Sequence, residues 1–256
     1  YDKVFEMGKN FRNEGLDRSH NPEFTALEIY EAYGDMRTMM KLVEELVSGA
    51  AQAVCGTMQA GKEGQEPVDL TPPWRVATYH DLVREKAGAD WFERPVESAR
   101  EWARAQELDI PDGMTHAQIT HEVYDKLVEK TLWQPTFVTR LPAELVPLAK
   151  RCEDDPSLVD VFELVVRGRE LAPGYTELND PLDQRARLEE QAGGDASKLD
   201  GDFLRALEHG MPPAGGMGIG IDRLVMVLTG EESVRDVMLF PQMKNREPLP
   251  VEPPAE

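Results

Sequence analysis

The stretch Phe11-Arg12-Asn13-Glu14-Gly15, continued by His20-Asn21-Pro22-Glu23-Phe24-Thr25, places a cation, an acid, a histidine and an aromatic ring on one loop. Two strand-like segments flank it, Val4-Phe5-Glu6-Met7-Gly8 and Phe24 to Tyr33, both rich in aromatic and apolar residues. Gly15 and the Asn21-Pro22 pair break the chain between them, so the pattern predicts a β-ribbon with a charged connection. Such a loop can hold a nucleotide without a glycine-rich phosphate loop. Arg12 can pair with a phosphate, and Phe24 can stack on a base. The plainer alternative is an ordinary hairpin with a charged tip.

A second block lies near the other end of the chain. Gly216-Met217-Gly218-Ile219-Gly220-Ile221-Asp222-Arg223 runs into Leu224-Val225-Met226-Val227-Leu228-Thr229-Gly230, a strand feeding a helix. Gly216, Gly218 and Gly220 alternate and therefore face one side of their strand. Glycine weakens a strand unless something must approach closely, and a bound adenosine fits that need. The spacing is neither the dinucleotide GxGxxG nor the Walker pattern. Arg223 sits at the strand–helix junction, where a cation opposes the helix dipole, which favours a ligand-binding role over a structural one.

In this order, the two blocks resemble motif 2 and motif 3 of the class II aminoacyl-tRNA synthetases, and the wording of the first resembles the lysine-specific branch. The resemblance runs through nearly the whole chain, to about Lys244. It implies an α+β fold, an antiparallel sheet flanked by helices, with residues 1–244 forming a partial catalytic domain. The family's anticodon-binding OB-fold and motif 1 lie upstream of motif 2, so the chain is expected to be truncated at its N-terminus. A helical insertion is expected over residues 78–131, and the proline-rich acidic tail 245–256 reads as disordered.

The implied activity is ATP-dependent activation of lysine as lysyl-adenylate, followed by transfer to tRNA(Lys), by a cytoplasmic homodimer. By resemblance, Arg12 meets the α-phosphate, Arg223 and His20 meet the terminal phosphates, and Phe24 meets the adenine. Glu14, Gly218 and Gly220 complete the ATP set. Glu163 and Glu170, acids set among apolar strand residues, match the family's Mg²⁺-binding glutamates. Glu177 is placed to meet the lysine ε-ammonium, with Tyr175 as an aromatic wall and Glu28 and Tyr30 as the other half of the pocket. Pro173 departs from the asparagine that many relatives carry, and no role is assigned to it.

Composition sets outer limits. Hydrophobic residues at 41% and charged residues at 30% read as a soluble globular domain. No apolar run approaches the ~20 residues needed to cross a bilayer, and no secretory signal is visible. A net charge of −20 argues against a nucleic-acid-binding module, since phosphate contacts dominate such interfaces. That fits a tRNA ligase only if the tRNA is gripped mainly elsewhere. Cys55 and Cys152 lack metal-site spacing and read as buried free thiols.

Periodicity fills in the rest. Asp35 is expected to cap a helix to about Cys55, with Gly61 to Pro73 a loop or hairpin. Helices are expected over 78–86, 95–106 and 115–130, strands over 134–140, 159–166 and 170–178, and helices again over 180–191 and 203–209. Two readings compete with tRNA charging. One is the synthetase-like paralogue that lysylates elongation factor P, disfavoured by the long insertion and by Gly218 in place of alanine. The other is a non-catalytic nucleotide-binding regulatory module, disfavoured by the intact Arg12, Glu163, Glu170 and Arg223.

Overall fold

A computed structural model describes residues 1–13, 15–146, 149–195 and 199–243. Glu14 and the tail 245–256 lie outside the described residues. The ribbon read from the first block is present: β1 (Lys3–Phe11) and β2 (Glu23–Ala32) pair antiparallel from Lys3↔Glu31 to Phe11↔Glu23. α1 (Met36–Cys55) follows, its first turn closed by Asp35, whose side chain accepts from the Thr38 N–H. Gly56 ends it in the left-handed region. Met36, Met39, Val43, Val47 and Ala51 form its buried stripe, so the methionines there are core.

The segment after α1 is a small hairpin of β3 (Gln59–Ala60) and β4 (Val68–Asp69). It leads to β5 (Arg75–Thr78), a strand that periodicity does not show. α2 (Tyr79–Ala87), α3 (Val96–Ala105) and α4 (His116–Val123) occupy the expected helical region. α4 continues as a π turn over Tyr124–Val128 and a 3₁₀ turn over Glu129–Thr131. Then come β6 (Thr136–Thr139), β7 (Val161–Val166) and β8 (Arg169–Thr176), followed by α5 (Pro181–Ala192) and α6 (Gly201–Glu208). β9 (Ala214–Gly220) runs directly into α7 (Ile221–Thr229).

Seven strands form one sheet in the order β1-β2-β9-β8-β7-β6-β5. All its pairs are antiparallel except β5–β6, so the antiparallel sheet expected is present and carries one parallel pair at its edge. The cause is the connection: β5 reaches β6 through α2 to α4, and a crossover of that length permits parallel pairing.

Strand alternation divides the sheet into two faces. On one, Leu27, Ile29, Phe162, Leu164, Met217 and Ile219 pack with the buried stripe of α1 and with Val227 and Leu228 of α7. On the other, Val138, Val161 and Val165 pack with Tyr79, Trp91, Ile119, Val123 and Tyr124. The helices thus cover only the β5–β7 end of this second face, and its β2–β9–β8 end stays open. Both cysteines are free thiols; Cys152 is buried, but Cys55 is exposed, because α1's apolar stripe does not include its last residue. No helix among the described residues is long and apolar enough to cross a membrane.

Candidate active site

The open end of the sheet carries the candidate residues in rows. Phe24, Ala26, Glu28 and Tyr30 alternate onto one face of β2. Opposite them on β9 stand Gly220 against Ala26, Gly218 against Glu28 and Gly216 against Tyr30. β8 adds Pro173 and Tyr175, with Tyr175 paired to Gly216, and Glu177 follows just beyond the strand. From Gly216 to Gly220 the strand between β2 and β8 therefore has no side chains on this face. The result is a trough of about 460 Å³ lined by Arg12, His20, Phe24, Glu28, Tyr30, Glu170, Tyr175, Glu177, Gly218, Gly220 and Arg223.

Gly216 shows what the bare strand is for. A Cβ built there would lie 1.9 Å from a Glu177 carboxylate oxygen and 2.7 Å from the Tyr30 ring. What approaches Gly216 is thus the wall of the acidic pocket, not the adenosine expected from the sequence. At Gly218 the space is open, as a floor beneath a ligand requires. Glu177 is held by its backbone N–H, which donates to Ala214 O at 2.8 Å. Burial pushes its carboxyl up to about 7, and no cation among the described residues offsets the shift. Tyr175 is pushed up to about 12 by burial and then by Glu170, Glu163 and Glu177. Tyr30 is raised by burial, then by Glu177 and Glu28. This end of the trough is negative and, among the described residues, lacks a counter-charge.

The other end is cationic. The Arg12 guanidinium lies 5.2 Å from the centroid of the Phe24 ring. Arg223 Nη1 donates to Glu170 O at 2.6 Å, and its Nη2 lies 3.3 Å from His20 Nε2. His20 Nδ1 is in turn 2.9 Å from Asp17 Oδ2. The start of α7 is tied to β2 by the Thr25 N–H, which donates to Asp222 Oδ2 at 2.7 Å. Asp222 and Asp17 carry no ligand-binding pattern in the sequence. Their value is positional, and only the fold reveals it. Glu14 falls outside the described residues.

Glu163 and Glu170 come from the antiparallel pair β7–β8, where Glu163 faces Pro173 and Glu170 faces Val165. Burial pushes Glu163 up to about 8, with Glu170 and Glu129 adding repulsion. Glu170 is also raised by burial, against the opposing pull of Arg223 and Arg12. The nearby Arg167 and Arg169 do not neutralise them. They donate instead to the backbone carbonyls of Met226, Gly230, Glu231 and Glu232. Glu163, raised by burial and by its acidic neighbours, and Glu170, balanced by Arg223 and Arg12, offer the oxygen donors a hard divalent cation takes. No group of three His, Cys, Asp or Glu suited to a metal occurs among the described residues. Two carboxylates on one hairpin are a donor set that a divalent cation such as Mg²⁺ accepts when substrate phosphates and water complete its shell.

A mixed sheet in which β9 turns only glycines to the trough, an Arg–Phe pair on the neighbouring ribbon and an arginine opening the next helix are the frame in which the similarities are read. The family model "tRNA synthetases class II (D, K and N)" matches residues 1–244, and the chain belongs to that family. The lysine--tRNA ligase of Bacillus subtilis (strain 168) is 51% identical over 252 residues, covering 96% of this chain and 50% of that protein. That of Syntrophomonas wolfei is 48% identical over 252 residues, and that of Moorella thermoacetica 49% over 253, covering 96% of this chain and 51% and 52% of theirs. The chain spans about half the length of the curated relatives it matches.

Proposed function

We propose that this chain carries the adenylate-forming site of a lysine--tRNA ligase: it joins the lysine carboxylate to the α-phosphorus of ATP, releases pyrophosphate, and passes the lysyl group to tRNA(Lys). The observation that supports lysine best is Glu177, a half-buried carboxylate with no cation beside it among the described residues, at the end of the trough remote from Arg223. A lysine ε-ammonium supplies the missing charge, and the Tyr30 and Tyr175 rings flank its aliphatic stem. An amino acid without that cation leaves a buried acid unsatisfied, which is how a site of this kind discriminates. Aspartate and asparagine, the other substrates implied by the family's name, bring no positive group to this end.

ATP lies along the cationic half. Phe24 stacks on the adenine over the bare floor of β9, Arg12 meets the α-phosphate, and Arg223 with His20 meets the terminal phosphates. Arg12 and Arg223 stabilise charge that grows as the pyrophosphate leaves, from positions set before substrate binds. Glu163 and Glu170 would hold Mg²⁺, which when bound neutralises the phosphate oxygens. Holding both reactants in line across β9 removes the entropic part of the barrier. With this reading goes the expectation, implied by the family resemblance, of a cytoplasmic enzyme working as a homodimer.

The test is isotope exchange of pyrophosphate into ATP by the full-length gene product. Exchange is expected with lysine and not with arginine, aspartate or asparagine; preference for an acidic or amide side chain, or exchange independent of any amino acid, overturns the assignment.

A further inference from the structure

β8 ends at Thr176, so Glu177 stands one residue past the last paired position, Thr176↔Gly215. Besides the Glu177 N–H bond to Ala214 O, what fixes this end is a convergence on Thr176. Strand alternation turns Thr176 away from the trough that Tyr175 and Glu177 face. Thr176 is 8% exposed, and its hydroxyl donates to Asp160 Oδ2. Its backbone N–H donates to Asp160 O at 3.0 Å, so Asp160 grips Thr176 by main chain and side chain together.

The same hydroxyl oxygen accepts the Met36 N–H at 3.0 Å. Met36 opens α1, and the N–H groups of a first helical turn have no partner within their own helix. Asp35 takes the Thr38 N–H from that turn, and Thr176 takes the one at Met36. The approach is possible because the residue across from Thr176 is a glycine. A Cβ on Gly215 would stand 2.7 Å from Asp35 O and 2.9 Å from Asp35 N.

A separate bond ties Asp160 to the opposite side of the trough. Its backbone N–H donates to Lys150 O at 2.8 Å. The preceding residue, Ala149, lines the trough and shares an apolar cluster with Tyr175. Chain that reaches the trough from two directions is thus held by one residue that does not itself line it.

We infer that Asp160 is a positioning residue for lysine selection: through Thr176 it sets how deep Tyr175 and Glu177 sit, and so the length of ammonium-bearing side chain they fit. This rests on reading Glu177 as the partner of the lysine ammonium. A misplacement of about 1 Å in such a site costs about 10²-fold. One methylene of substrate is a displacement of that size.

The test compares lysine with ornithine, which carries the same ammonium on a side chain one methylene shorter, as kcat/KM in pyrophosphate exchange by the full-length gene product. The ratio of the two constants does not depend on how much enzyme is folded, so a purely structural loss leaves it unmoved. Wild type is expected to prefer lysine by about 10–200-fold. Asp160→Ala and Thr176→Val should each lower the ratio severalfold, through KM for lysine and not KM for ATP. Asp160→Asn and Thr176→Ser keep the acceptor and the hydroxyl, and should hold the ratio near wild type. The double variant Asp160→Ala, Thr176→Val should fall no further than Thr176→Val alone, because the two changes remove one shared contact. Asp160→Glu, the variant to read if Asp160→Ala does not fold, keeps the charge, moves the acceptor and should also lower the ratio. A wild-type ratio in Thr176→Val and in the Asp160 variant read overturns the positioning role and leaves Glu177 as the ammonium's partner. A Thr176→Ser ratio as low as that of Thr176→Val, or additive losses in the double variant, overturns it too. Equal exchange with lysine and ornithine in the wild type, or exchange with neither, instead overturns the reading of Glu177 on which it rests.

Discussion

Glu177 sits in the protein with a carboxyl raised to about 7 by burial alone, and two opposite pH trends follow from that one group. Its folded value lies above the ordinary 4.5, so the folded chain binds this proton more tightly than the unfolded chain does. The stability it contributes is present at low pH and is lost as pH rises through about 4.5 to 7. Lysine binding runs the other way, because the ammonium needs the carboxylate: with half the groups ionised at pH 7 and about a tenth at pH 6, affinity should fall about fivefold between them. Calorimetric titration with lysine checks this, and a flat profile removes Glu177 from the pocket. Glu177→Gln should abolish the pH dependence and weaken lysine binding by about 2–5 kcal/mol, leaving ATP affinity unchanged. Gly216→Ala should reproduce the lysine defect, because its methyl takes the place of the Glu177 oxygen 1.9 Å away. Measured ATP affinity in Gly216→Ala should stay near wild type; if ATP binding fails and lysine binding survives, Gly216 serves the nucleotide after all.

The elements with side-chain signals at their ends were legible before any coordinates. Asp35, Thr78, Thr115 and Asp180 each cap the helix that the sequence assigns to them, by accepting backbone N–H groups of the first turn. Asp35→Ala should accordingly cost about 1 kcal/mol in a denaturant melt, and no change there would mean that the Thr38 N–H finds another acceptor. β5 was not legible, because Arg75–Thr78 is four residues long, shows no apolar alternation and draws its identity from pairing with β6. The same physics divides the site. Glu28, Tyr30, Tyr175 and the β9 glycines could be placed on one face because strand alternation is local. Asp17 and Asp222 could not, since nothing local announces that Asp17 will hold His20 or that Asp222 will take the Thr25 N–H from the far end of the chain. The purpose of Gly216 was likewise hidden: the sequence shows a missing side chain but not which neighbour fills the space.

At the scale of the molecule, the uneven part is the ribbon edge. Every residue of β1 is exposed, and Phe5, Met7 and Phe11 share a face at 74%, 63% and 73% exposure. An uncovered, apolar edge strand is a template for pairing with another chain. Light scattering of the 256-residue chain should show concentration-dependent association, and Phe5→Lys with Met7→Lys should suppress it; an unaffected monomer would mean that this edge is inert. The sheet order carries a different consequence, one of timing. β9 pairs with β2 on one side and β8 on the other, yet it is the final strand in the chain order. During synthesis at ~5–20 residues per second the ribosome delivers β2 and β8 long before the strand that joins them. Until residue 220 has left the exit tunnel, the nascent chain consists of two half-sheets with raw inner edges, and the two walls of the trough, one on β2 and one on β8, belong to different pieces. Substrate therefore cannot template the earlier stages of folding. A nascent chain stalled before β9 should be protease-sensitive and blind to both ATP and lysine, and the last strand to emerge closes the sheet and creates the site together.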